Sequence, residues 1–212
     1  MKDKPVTADE LLKRLHADPA WLAAEREREH VFAEKRAQNA LAEAPLVADL
    51  RSAGIPVSSV WDLVNDRRRW PRSFPILLAH LDRPYPDAIR DGIARALADP
   101  ELRFAWHILA DYYMKAARGS RTEQGLAVAL ANSADDEVMP ELIAFVRDSS
   151  LGDCRGLLLD ALTRSRLPLV DDALQEFLHV PTLGQGGDAD TQGENEPQSA
   201  LVGTAAAGSL YS

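Results

Sequence analysis

The sequence predicts an all-α protein, a right-handed superhelix of stacked helical pairs with a helical cap at its N-terminal end. Three observations predict it. Aromatic residues make up only 6% of the 212 residues, so the β-branched and aromatic runs that strands favour are scarce. The stretch "GIARALA" at residues 92–98 returns as "GLAVALA" at residues 125–131, 33 residues later. Two registers of apolar residues then repeat with the same period through four units.

The elements follow in order. Thr7 and Glu10 in "TADELLKRL" form a capping box, with Leu11, Leu12 and Leu15 as the apolar stripe of a first helix. Asp18 and Pro19 occupy the N-cap and first position of a second helix, which runs without a breaker to about Ala44. Its Glu25, Glu27, Glu29 and Glu34 alternate with Arg26, Arg28, Lys35 and Arg36, a solvated face laced with i,i+4 pairs. "PLVADLRSAGI" follows, and Gly54 stops it.

From Val57 the repeat takes over. Aligned on an Ala-Leu pair, Ala96-Leu97, Ala129-Leu130 and Ala161-Leu162 lie 33 and 32 residues apart, with Leu63-Val64 one step earlier. A second register runs through Leu77, His80, Leu81; Leu109, Tyr112, Tyr113; Leu142, Phe145, Val146; and Leu174, Phe177, Leu178. Each triplet is spaced i, i+3, i+4, the buried stripe of a short helix. A pair of short helices cannot bury its own apolar face, so stacked pairs must repeat the residues that touch a neighbour. A small residue at the recurring position lets helices approach, and Leu fills the gap beside it. "RPYPD" is a turn with Pro84, Pro86 and the cap Asp87, "NSADDEVMPE" and "SRLPLVDD" join paired helices, and Gly119 and Gly152 mark turns between units. The organisation expected is a cap over 1–56, repeats over 57–183, and a disordered acidic tail over 184–212. That tail carries Asp188, Asp190, Glu194 and Glu196 and no Lys or Arg.

The segments "ILLAHLDRPYPDAIRDGIARALA", "GLAVALANSADDEVMPELIAFVRD" and "CRGLLLDALTRSRLPLVDDALQEFL" resemble HEAT-type repeats of the compact, bacterial style, including the Asp87/Arg90 pair and the Pro-bearing turn. Ankyrin and tetratricopeptide repeats share the period, but "TPLHxA" and "WxxLGxxY" are absent. The resemblance implies an α-solenoid that binds a protein partner, as an adaptor, scaffold or inhibitor, through its concave face. It also brings alternatives: an alkylpurine DNA glycosylase or a bilin lyase of HEAT-like build. A small immunity-type protein that neutralises a cationic toxin is a further alternative, which the acidity suits.

Charge and composition narrow these. The formal net charge is -9, which repels a nucleic-acid backbone on average, so nucleic acid is not the expected partner. For the glycosylase reading, Trp106 and Asp111 are the aromatic and the carboxylate, but five residues apart they lie ~140° apart around a helix. Cys154 stands alone, which excludes an intrachain disulfide and a thiolate zinc cluster. His107 and Asp111 share a helical face at i,i+4 but have no evident third ligand, so no metal or cofactor is expected. No apolar run approaches ~20 residues and no signal-peptide core opens the chain, so a cytoplasmic protein is expected, without a membrane partner.

Two candidate surfaces remain. Non-core positions of successive second helices form rows: Asp111, Ala144 and Glu176; Met114, Arg147 and His179; His107, Glu141 and Asp172. This is the expected partner-binding face. The secondary candidate is the basic ridge "NDRRRWPR", with Arg67, Arg68, Arg69 and Trp70.

Overall fold

A computed structural model describes residues 7–177. The expected tail, together with Leu178 and His179, lies outside the described residues. Ten α-helices and short 3₁₀ turns account for the regular structure, and no strand occurs among the described residues. The protein is all-α.

The helix α1 (Ala8–Ala17) starts on the expected capping box, with Thr7 Oγ1 accepting from the Glu10 amide at 3.3 Å and the Glu10 carboxylate accepting from the Thr7 amide at 3.2 Å. The helix α2 (Pro19–Ser52) starts as expected at Asp18 but does not end near Ala44. It continues through Pro45. A proline inside a helix costs ~3 kcal/mol. Leu46, Val47 and Leu50 lie just beyond it, buried to 7% exposure or less, and each contributes ~1.5–3 kcal/mol by leaving water. Burial wins over the local breaker. The helix closes at Gly54, where φ is +79° and the amides of Gly54 and Ile55 reach back to the carbonyls of Arg51 (2.9 Å) and Leu50 (3.1 Å).

Eight further helices follow, taken two by two in chain order as first and second helices. They are α3 (Val60–Asn65) and α4 (Phe74–His80), α5 (Asp87–Ala96) and α6 (Trp106–Lys115), α7 (Arg121–Ser133) and α8 (Met139–Arg147), then α9 (Leu159–Arg164) and α10 (Pro168–Phe177). In the last pair the first helix is split, with a 3₁₀ segment over Asp153–Leu158 leading into α9. Gly156, the poorest helix former there after proline, sits inside that segment.

First helices pack on first helices: α3 on α5, α5 on α7, and α7 on the Asp153–Leu158 segment and α9. The broadest of these contacts is α5 on α7. Both repeating registers line one apolar cluster that runs from Leu46 to Phe177. Leu77, Leu97, Leu109, Tyr113, Leu130, Leu142, Val146 and Leu162 are all fully buried.

The repeated glycine of "GIARALA" and "GLAVALA" has a direct cause. A Cβ on Gly125 would stand 2.6 Å from Asp91 Oδ1 and 2.9 Å from the Asp91 carbonyl oxygen on α5. One on Gly92 would stand 2.5 Å from Val60 Cγ1 on α3. Each glycine is the point where one first helix touches the previous one. Asp87 corrects a sequence expectation. It is not the cap of its own helix, whose N-cap is Pro86. Its carboxylate instead accepts from the amides of Arg121 and Thr122 (both 3.0 Å) and from Thr122 Oγ1 (2.6 Å), so it caps α7 of the next unit. Nor does Asp87 hold Arg90, whose Nε is buried without a partner among the described residues.

Candidate functional site

The second helices α6, α8 and α10 expose one face of the molecule. On α6, Trp106, Leu109, Ala110 and Tyr113 point inward. Ile108 (49% exposed), Asp111 and Met114 (44%) face water, as does Phe104 (74%) in the 3₁₀ segment Pro100–Ala105 just before the helix. Trp106 anchors the helix from below: its ring stacks on Phe145 of α8 at 5.9 Å and its Nε1 donates to the Leu130 carbonyl at 3.2 Å.

The nominated residues meet in pairs across this face. His107 Nδ1 lies 3.4 Å from a Glu141 carboxylate oxygen on α8. It therefore turns toward α8 rather than along its own helix to Asp111. Arg147 of α8 reaches Glu176 of α10, Nη2 to Oε2 at 2.7 Å and Nε to Oε2 at 3.2 Å. The bond from Arg147 holds the Glu176 carboxyl below the usual glutamate range, and Glu176 in turn raises the Arg147 guanidinium. Asp111 and Asp172 are exposed and form no hydrogen bond or ion pair among the described residues. His179 lies outside the described residues.

Sequence reasoning missed Phe104 and Ile108. The signal was present for Ile108, which falls on the side of α6 away from Trp106, Leu109 and Tyr113, whereas Phe104 lies in the 3₁₀ segment before the helix and no periodicity marks it as exposed.

The ridge at residues 66–70 is less open than its arginine count suggests. Arg68 Nε and Nη2 bond the Asp66 carboxylate at 3.0 and 2.9 Å, and its guanidinium lies 5.0 Å over the Trp70 ring. Trp70 Nε1 donates to the same carboxylate at 3.0 Å. The Arg68 bonds, with help from Trp70, lower the Asp66 pKa to about 2. Arg69 grips Asp99 through Nη2 and through Nε at 2.7 Å, and its Nη1 lies 3.3 Å from Glu101. Arg67 is exposed and has no partner among the described residues.

Elsewhere, chemistry is scarce. Burial first, then the Glu123 carboxylate, pushes the Cys154 thiol up to about 12, the reverse of what a nucleophilic cysteine needs. Among the described residues no group of three His, Cys, Asp or Glu side chains is placed to hold a metal. No described helix is long and apolar enough to cross a membrane. No family model, curated protein or solved structure matches the chain.

Proposed function

We propose that the chain is a non-catalytic binding module, a short HEAT-like right-handed solenoid that holds a protein partner on the concave face of its second helices. One observation carries this reading. Ile108 and Met114 of α6, and Phe104 of the 3₁₀ segment that leads into it, stand in water, although the same helix has a complete buried stripe of its own. Stacking the helices does not require them. Exposed clustered apolar groups among charged neighbours are the make-up of an interface core with a polar rim. Across this face four of the nominated side chains are joined, as His107–Glu141 and Arg147–Glu176, which limits their ordering cost on binding.

Site-specific photocrosslinking tests it. A benzophenone amino acid at position 108 is expected to give one dominant protein adduct in host cells, and Phe104→Asp is expected to abolish it. The same group at Gln124, exposed on α7, is expected to give none. Equal labelling from both positions overturns the assignment of the face.

A further inference from the structure

The cavity beside Trp70 is a different site. It measures about 190 Å³ and lies where the end of α3, the 66–70 loop, the start of α4 and the end of α5 meet. We infer that this cavity binds a small phosphate-class oxyanion, with Arg67 and Arg95 as its charged ligands and Arg68 as a third donor.

The argument starts from the guanidinium donors. Four arginines and two aspartates line the cavity, and Asp91 and Glu101 pair with Arg95 and Arg69 from outside the lining, so the formal charges balance and the case rests on donors that no carboxylate among the described residues has taken. The two aspartates are already spoken for: Asp66 by Arg68 and Trp70, Asp99 by Arg69 and by the Glu101 amide at 2.8 Å. They order the loop rather than cancel the site. Arg69 is consumed on Asp99 and Glu101. Arg95 uses Nε on Asp91 at 2.7 Å, which leaves its Nη atoms unspent, and Arg68 keeps Nη1. Arg67 spends nothing among the described residues. Three arginines that keep unspent donors line one space, and planar guanidinium donors match the oxygens of a tetrahedral oxyanion.

The C-terminal ends of α3 and α5 and the N-terminal end of α4 also lie here. The charge that attracts an anion is therefore that of Arg67, which no carboxylate among the described residues pairs.

Size and charge select the ligand. Pockets for drug-sized ligands span ~300–1,000 Å³, so this one suits one or two phosphoryl groups rather than a nucleotide. A polyanion would also meet the acidic remainder of the molecule, which favours a small free ion over a nucleic acid strand.

The test titrates inorganic phosphate and pyrophosphate into the full chain at constant ionic strength, read by tryptophan fluorescence and by melting temperature. Saturable binding in the millimolar range or tighter is expected, stronger for pyrophosphate. Arg67→Ala is expected to weaken it at least tenfold without changing the melting temperature of the free protein, because Arg67 is exposed and unpaired. Arg72→Ala, close by but outside the lining, is expected to leave binding unchanged. Three results overturn the inference: binding that does not saturate, equal loss in Arg72→Ala, or tighter binding of a single-stranded oligonucleotide than of pyrophosphate.

Discussion

The row of first helices and the row of second helices are built on opposite principles. Along the first row, α5 and α7 meet through Gly125, with the buried Asp91 and Ala94 pressed against its Cα. Two carboxylates are built into that row: Asp87 caps α7 of the next unit, and the fully buried Glu123 holds Arg118 (2.6 Å) and the Gly119 amide (2.7 Å) of the turn that leads into its own helix. Along the second row, α6 and α8 meet through the broad stack of Trp106 on Phe145, while α8 and α10 are bridged by an ion pair about half exposed on each side. Backbone proximity fixes the first row, and side chains join the second, through an aromatic stack on the buried Trp106 between α6 and α8 and a half-exposed ion pair between α8 and α10. The difference teaches where change is tolerated. Substitutions in the first row act on stability, and substitutions on the second row act on what the surface can hold.

The sharpest way to break that contrast is Gly125→Ala. The added methyl meets a backbone carbonyl of α5, so the whole helix must shift, and overpacking of this kind costs ~1–3 kcal/mol. Alanine's better helix propensity returns up to ~1 kcal/mol of that. Gly92→Ala meets only side-chain atoms of Val60 and Trp61, which can rotate aside. Thermal unfolding is therefore expected to place Gly125→Ala several degrees below wild type and Gly92→Ala between the two. Equal melting temperatures for both variants would show that the α5–α7 approach is slack.

Those glycines also mark how far the sequence could be read. The repeated heptapeptide announced a recurring contact, and the period told which residues would be buried. Sequence reasoning gave the role of small spacer to Ala96 and Ala129. The structure puts the tightest approach one turn earlier, at Gly92 and Gly125, because a helical glycine exposes its backbone to a neighbour and an alanine does not. Pro45 misled for a related reason: a local breaker is visible in sequence, whereas the burial of Leu46, Val47 and Leu50 that overrides it depends on helices far along the chain. Asp87 was legible as a cap but not as the cap of a helix 34 residues away. On the second row, charges and Met114 were nominated while Phe104 and Ile108 were overlooked, since large apolar side chains near helical spacing read as core. Arg67 to Arg69 read as one basic run until Asp66 and Asp99 sorted them into paired and unpaired.

A middle-sized effect belongs to Asp87. Burial raises its carboxyl, but the bonds from Thr122 and Arg121 outweigh that and leave it below the ordinary aspartate value. A depressed carboxylate contributes stability that is full above the unfolded pKa of ~3.9 and is lost as pH falls through the lower folded value. Asp87→Asn keeps an acceptor for the α7 amides but loses the charge at the helix N-terminus, ~0.3–1 kcal/mol. Wild type is expected to melt slightly above the variant at neutral pH, with the gap closing below pH ~4. A gap that persists undiminished in acid would mean that the charge does not supply it.

The smallest effect is expected at Arg147–Glu176, and it tests the other half of the contrast. Both side chains are about half exposed, so solvent and salt screen their attraction, and removing one partner strands no buried charge. Arg147→Ala is expected to leave the melting temperature within error of wild type. The pair still has a local signature, because Arg147 is the leading cause of the lowered Glu176 pKa. In Arg147→Ala the Glu176 carboxylate is therefore expected to titrate at higher pH than in wild type, by NMR of its side-chain carbon. The two readouts separate cleanly. A rise in the Glu176 titration with no change in melting places the pair on a surface joined by side chains alone. A drop in melting comparable to that of Gly125→Ala would show that the second row shares the load of the first, and the division between the two rows would fall.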